Sequence, residues 1–355
     1  MPLQLRYSHR ALRFNFPART SRGALTEHVA WYLHLSDDDS GVEGIGEAAP
    51  LAGLSPDHRL DFEGRLQRLC EEFNHLGLAE VPANWQELVE PEWPALRFGL
   101  ETALLDYQGG GRHQLFDNAF SRGEAGVPIN GLVWMGDAAF MQEQIRKKLG
   151  EGYRCLKMKI GGIDFDTELA LLRSIREVAS PAELVLRVDA NGAFALPDAQ
   201  RKLEQLAAFG LHSIEQPIKA GQWQALAELC RTSPVPIALD EELIGVTDLG
   251  QQRRLLEQVQ PAYVVLKPTL LGGLGAAGQW IAEATHRNIG WWMTSALESN
   301  VGLNAISQYT AQYPMADFAQ GLGTGQLYHN NVRSPLQVAG GYLHYNPLGS
   351  WEEPR

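Results

Sequence analysis

From about residue 127 to residue 321, short runs rich in β-branched and apolar residues alternate with stretches whose apolar residues recur at helical spacing. This is the pattern of successive βα units. The strand-like runs are 127–133, 153–159, 184–189, 211–215, 236–240, 262–267, 290–295 and 316–321. Between them, 165–178 places Leu169, Leu172 and Ile175 on one stripe, and 249–259 turns Leu255, Leu256 and Val259 inward. Eight such units suit a closed (β/α)₈ barrel, and the same alternation also allows an open doubly wound sheet. Before residue 110 the order changes: strand-like runs at 3–16, 29–35 and 42–48 precede helix-like 57–73 and 93–107. That segregation implies a separate α+β domain. Gly109-Gly110-Gly111 follows as a linker or helix C-cap.

A length of 355 residues fits two domains, one of them large. With 45% apolar and 20% charged residues and no long apolar run, the chain reads as globular, with no membrane role. The first sixteen residues intersperse Arg6, Arg10 and Arg13 among apolar ones and offer no secretory signal, so a cytoplasmic location is expected. Cys70, Cys155 and Cys230 are widely spaced, as suits reduced core thiols rather than disulfides or zinc. A net charge of −12 argues against nucleic-acid binding. An anionic substrate therefore needs a locally basic site.

A strand buried on both faces should be apolar throughout, so ionisable residues at strand ends call for an explanation. Lys159, Asp189, Glu215, Asp240 and Lys267 end five consecutive strands, at spacings of 30, 26, 25 and 27 residues. Taken singly, each reads as a solvent-exposed strand end or a cap of the next helix. Five in register belong on one rim, where barrels place their chemistry. Three adjacent carboxylates repel one another unless a hard cation joins them, and all-oxygen ligation points to Mg²⁺, with Mn²⁺ the alternative. Lys157 and Lys159 alternate by two and share a face, so the metal and the second ammonium are expected to lower the pKa of Lys159 towards that of a base. Removing a proton beside a carboxylate puts two negative charges on its oxygens, which a bound metal offsets.

Five segments, Leu156-Lys157-Met158-Lys159, Arg187-Val188-Asp189-Ala190-Asn191-Gly192, Ile214-Glu215-Gln216-Pro217, Ala238-Leu239-Asp240-Glu241 and Leu266-Lys267-Pro268, resemble successive signatures of the muconate lactonising branch of the enolase superfamily. Within it, Thr294-Ser295-Ala296-Leu297-Glu298-Ser299-Asn300 and Gln320-Gly321-Leu322-Gly323-Thr324-Gly325 are most similar to the o-succinylbenzoate synthases. The segment 97–107 resembles the helix leading from that branch's capping domain into its barrel. The resemblance implies a TIM-like (β/α) barrel at 113–325, an N-terminal α+β capping domain at 1–112 and a segment at 326–355 that packs back on the capping domain. It implies dehydration of 2-succinyl-6-hydroxy-2,4-cyclohexadiene-1-carboxylate to o-succinylbenzoate, a step of menaquinone synthesis. Lys159 is then the base and afterwards the acid. Lys267 faces it with charge and cation–π attraction, and Lys157 assists. Asp189, Glu215 and Asp240 hold the metal, and Asn191, Ser295, Gly321 and Thr324 are the expected substrate contacts. Small and hydroxyl residues there leave room and donors for a succinyl carboxylate. Loops at 21–27 and 49–55 are expected to close over the site.

The nearest rivals share the fold. A dipeptide epimerase of this superfamily carries Asp-x-Asp at strand eight, and 321–325 has no acid. An N-succinylamino acid racemase uses the same lysine pair and stays open, as does the oligomeric state. Mandelate-type enzymes need a strand-seven histidine, which 291–299 lacks. Gly273-Leu274-Gly275-Ala276-Ala277-Gly278 matches G-x-G-x-x-G with Glu298 twenty residues on. That fingerprint belongs directly after the first strand of a βαβ unit. Here it comes late, behind 267–271, so a loop entering a helix accounts for it. A non-catalytic binding protein is the remote alternative. The ten histidines form no H-x-x-x-H group, no G-x-S-x-G elbow is present, and the nine tryptophans read as packing.

Overall fold

In the computed structural model, which describes residues 2–20, 23–37, 39–314 and 318–354, the chain opens with a three-stranded antiparallel sheet. Its strands are β1 (Gln4–Thr20), β2 (Gly23–Ser36) and β3 (Glu43–Ala48), in that order. The expected loop at 21–27 is therefore mostly strand. Gly23 to Glu27 pairs with β1 across a register shift between Arg13 and Ala18, and Ser21 and Arg22 lie outside the described residues. Two helices follow, α1 (Phe62–His75) and α2 (Pro94–Gln108). The first starts later than residue 57 because the Asp57 carboxylate serves the other helix, accepting from Ala95 N at 2.8 Å at the start of α2. Helix α2 lies backbone to backbone on β3, where a Cβ on Gly46 would stand 2.0 Å from the Gly99 carbonyl oxygen. After α2, Gly109 takes the C-cap position, and Gly110 and Gly111 turn the chain with φ of 85° and 66°.

The expected strand 127–133 divides in two: β4 (Val127–Pro128) and β5 (Gly131–Val133). Seven parallel strands run in order round the barrel: β5, β6 (Cys155–Lys159), β7 (Val185–Asp189), β8 (Ser213–Glu215), β9 (Ile237–Leu239), β10 (Tyr263–Leu266) and β11 (Gly290–Met293). The expected eighth strand, 316–321, begins outside the described residues and survives as a single rung. Gln320 bonds the first strand through Pro128 O and Asn130 N, and Gly321 bonds Met293 O and Ser295 N. That rung joins the two edges of the sheet, so the closed barrel replaces the open-sheet alternative.

Outside the sheet run α3 (Ala138–Gly150), α4 (Phe165–Val178), α5 (Leu196–Ala207), α6 (Trp223–Thr232), α7 (Leu249–Val259), α8 (Pro268–Leu271), α9 (Leu274–His286) and α10 (Asn300–Thr310). Helices α4 and α7 have the expected bounds because Asp164 and Asp248 accept from Thr167 N and Gln251 N and so fix their first turns. A C-terminal hairpin, β12 (Leu336–Ala339) and β13 (Tyr342–Tyr345), pairs antiparallel with β4. Beyond it, Glu352 meets Arg10 at 2.7 Å and Trp351 lies against His113.

One apolar core fills the space between the sheet and its helices, and a second lies between the N-terminal sheet, α1 and α2. A third joins the two bodies, bringing Leu12, Tyr32 and Ile45 against Trp134, Val301 and Tyr328. Among the described residues no helix is long and apolar enough to cross a membrane.

Candidate active site

Parallel pairing puts Lys159 directly beside Asp189, and Asp189 beside Glu215. Asp240 and Lys267 stand one residue past the ends of β9 and β10, so all five charged residues share one rim, and all are buried. Candidate ligand atoms of Asp189, Glu215 and Asp240 lie within 4.8 Å of one another. The lysines thread between them. Lys157 Nζ donates to Glu215 and stands 3.0 Å from Asp189 Oδ2, Lys159 Nζ is 3.0 Å from the same oxygen, and Lys267 Nζ donates to Asp240 Oδ2 at 2.6 Å. Glu215 Oε1 is buried without a hydrogen-bond partner. Three converging carboxylates with a bare oxygen among them fit a hard divalent cation, and these residues could hold one.

The neighbours pull these groups apart electrostatically. Burial, and then Asp189 and Asp240, push Glu215 up to about 7 against the pull of Lys157. Lys159 is held below the usual lysine range by burial first, then by the charges of Lys157 and Lys267, with Asp189 opposing. Its shift has the expected sign with a different leading cause. Burial would lower Lys157 too, but Asp189, Glu215 and Asp240 outweigh it and hold the ammonium above its ordinary range. Lys267 is raised in the same way, mainly by Asp240 against burial. Asp189 stays well below the carboxylate range because its lysine neighbours outweigh the burial that opposes them.

Above the rim lies a cavity of about 380 Å³. Five lysines (Lys147, Lys148, Lys157, Lys159 and Lys267) and one carboxylate, Asp189, line it; the three rim lysines pair with the rim carboxylates, and Lys147 and Lys148 with Glu151. Its apolar wall comes from both bodies: Phe16 of β1, Leu51 and Leu54 of the 49–55 loop, Trp134 after β5, and Leu297. Trp134 is fixed by Gln144 of α3, which accepts from its backbone N–H at 2.9 Å and donates to its carbonyl at 3.0 Å. Trp134 and Asn130 are two further residues of the cavity wall that carry no charge to mark them in the sequence. Both share a face with Leu132, the partner of Lys157, and continuing that alternation is the signal that finds them.

Residues 140–348 match the enolase C-terminal domain-like family. An o-succinylbenzoate synthase from Desulfotalea psychrophila is 50% identical, with 96% of this chain and 98% of that protein covered. The chain belongs to the o-succinylbenzoate synthases of the enolase superfamily. A crystal structure of MenC from Desulfotalea psychrophila LSv54 superposes with a TM-score of 0.86 at 46% identity, covering 97% of this chain and 100% of that one. A muconate lactonizing enzyme from Pseudomonas fluorescens shares the fold at 22% identity, with a TM-score of 0.84 and coverage of 99% and 97%.

Within this family member, all four expected substrate contacts line the cavity, but in different chemical states. Asn191 accepts from Lys159 at 2.8 Å and donates to Glu241 at 3.0 Å. Ser295 donates its hydroxyl to Glu298 at 2.6 Å and accepts from Leu297 N at 2.9 Å, so its one proton is already engaged. Gly321 meets the cavity with its backbone and carries no side chain. A Cβ there would stand 2.0 Å from Thr294 Oγ1, so its small size serves the contact between β11 and the closing rung. Thr324 alone keeps a buried hydroxyl without a partner. The glycine fingerprint at 273–278 is also explained. The buried Glu101 carboxylate of α2 accepts from Leu274 N at 2.5 Å and Gly275 N at 2.9 Å, filling the position where a phosphate would sit. Glu298 is equally occupied, by Thr269, Ser295 and Ala296 N.

Proposed function

We propose that this chain eliminates water from 2-succinyl-6-hydroxy-2,4-cyclohexadiene-1-carboxylate to give o-succinylbenzoate, a step of menaquinone synthesis in the cytoplasm. One observation carries the reading: Lys159 and Lys267 are both buried and both face the cavity, from β6 and from the end of β10, with β7, β8 and β9 between them. Half a turn of an eight-stave barrel sets them on facing sides of a planar ring.

Lys159 takes the proton from the carbon that bears the ring carboxylate. The electron pair left behind forms the new ring double bond as the bond to the neighbouring hydroxyl breaks. The proton now on Lys159 goes to the departing oxygen, which leaves as water from the same face. Lys267 presents positive charge to the opposite face of the ring while negative charge develops. Lys157 keeps its proton, holds Asp189 in its charged form and draws Glu215 the same way against burial. Asp189, Glu215 and Asp240 would hold a divalent cation, Mg²⁺ in this reading with Mn²⁺ the alternative, which would supply positive charge to offset the negative charge developing on the substrate carboxylate. The five lysines round the cavity support a small anionic substrate, and the net charge of −12 argues against a nucleic-acid partner.

An N-succinylamino acid racemase needs the same two lysines, so the decisive test offers both substrates. Purified protein with Mg²⁺ is given the cyclohexadiene and, separately, N-succinyl amino acids. We expect kcat/KM at least about a hundredfold higher for the elimination, a difference of roughly 2.7 kcal/mol. Racemisation without elimination would replace this reading.

A further inference from the structure

We infer that Asn130 and Thr324 together form the subsite for the second, distal carboxylate of the substrate, an assignment that rests on the proposed reaction. The metal-binding carboxylates sit on β7, on β8 and just past β9, so a substrate carboxylate placed there points the rest of the molecule across the barrel. The far side is built from β11, the Gln320–Gly321 rung and the first strand, which contribute Ser295, Thr324 and Asn130 to the cavity.

Of the polar side chains buried in the cavity wall among the described residues, most have their hydrogen-bonding capacity committed within the protein. Thr294 donates to Gly321 O at 3.0 Å, Ser295 to Glu298, and Lys157, Lys159 and Lys267 to the rim carboxylates. Asn130 Oδ1 and Thr324 Oγ1 are the exceptions, each without a partner in side chains only 6% and 7% exposed. A buried polar atom left unpaired destabilises the protein that holds it. Two such atoms in side chains that line one cavity are explained by a ligand that satisfies them. A hydroxyl and an amide both offer donors, an amide can present either end, and neither adds charge, so they suit the outer oxygens of a carboxylate. Asn130 is held in place by its backbone N–H, which donates to Gln320 O at 2.9 Å. The wall beside them, Ala296 and Leu297, contributes shape rather than donors, since both backbone N–H groups are engaged by Glu298 and Ser295.

The test compares two ligands on the Mg²⁺-loaded protein by calorimetry: o-succinylbenzoate and 2-butanoylbenzoate, which keeps the ring carboxylate and ketone but lacks the distal carboxylate. Wild type should prefer o-succinylbenzoate by at least about tenfold. Thr324→Val and Asn130→Leu should each erase about ten- to a hundredfold of o-succinylbenzoate affinity while leaving 2-butanoylbenzoate unchanged, and Thr324→Ser should keep the preference. Unchanged binding of the truncated ligand also shows that a variant is folded. A preference that survives both variants, or equal losses for the two ligands, would overturn the subsite. Wild-type binding without turnover of the cyclohexadiene would instead overturn the proposed reaction, and failure to bind either ligand would overturn both.

Discussion

Lys157 and Lys159 stand two residues apart on one strand, yet their surroundings shift their proton affinities in opposite directions. Lys157 is enclosed by the carboxylates of Asp189 and Glu215, whereas Lys159 has one such partner and two ammonium neighbours. Their alanine variants should therefore fail differently. Lys159→Ala is expected to lower kcat by about 10³-fold or more with little change in melting temperature, since Lys157 still pairs Asp189. Lys157→Ala leaves two buried acids short of a partner and should cost about 3–5 kcal/mol of stability as well. Steady-state kinetics beside denaturant titration separates the two, and a Lys159→Ala enzyme keeping a tenth of its kcat would remove that lysine from the chemistry. The charged rim was readable because ionisable residues are out of place in buried strands. Glu298 was not, because a carboxylate in a βα loop has many ordinary uses, and for Asn130 and Trp134 the alternation with Leu132 gives a face but not a role. Only the partners they keep or lack tell them apart. Backbone strain was equally invisible: Asn191, Gln216 and Leu297 hold φ of 45°, 38° and 71° in the loops that form the site.

Helix α4 shows how much of an element its first turn decides. Asp164 accepts from Thr167 N at 3.0 Å and from the Thr167 hydroxyl at 3.1 Å, and Asp164→Ala should cost about 1 kcal/mol in a urea titration without touching kcat. Elements with such local signals were legible, whereas β4, β5 and the closing rung were not. Their division depends on which strand each residue meets, and one apolar run served both the C-terminal hairpin and the barrel. Glu101 extends the argument to contacts between elements. It caps α9 from α2, and burial raises it to about 7 against the pull of the backbone N–H groups of Gly275 and Leu274. A raised carboxyl stabilises the fold fully below its unfolded value near 4.5 and loses that contribution as pH climbs through about 7. Glu101→Gln has no proton to lose across this range, so its deficit relative to wild type should be largest at low pH. Its deficit should shrink by on the order of 3 kcal/mol between pH 4.5 and 8. Thermal melts across that range check this, and a deficit independent of pH would mean that the acid stays charged throughout.

At the scale of the whole molecule, the N-terminal sheet does more than cover the barrel. Glu47 of β3 accepts from Ser299 N and Gly302 N, both at 2.7 Å, so one body caps the helix that follows the pocket-lining loop of the other. Sequence separated the two bodies by their order of strands and helices, but a contact between residues 252 positions apart leaves no local pattern to read. The same wholeness bears on metal removal. Asp189, Glu215 and Asp240 each have a lysine partner inside the barrel, so their charges remain compensated without a cation. Exhaustive chelation should therefore abolish turnover while leaving far-UV circular dichroism unchanged. Adding back Mg²⁺ should restore activity, and at a hundredfold excess over its Kd it should stabilise the fold by about 2.7 kcal/mol, or a few degrees in Tm. Asp240→Asn, which weakens the cation's seat and leaves Lys267 without its partner, should require higher Mg²⁺ for the same activity. Full turnover after chelation would mean that the three carboxylates serve the lysines alone.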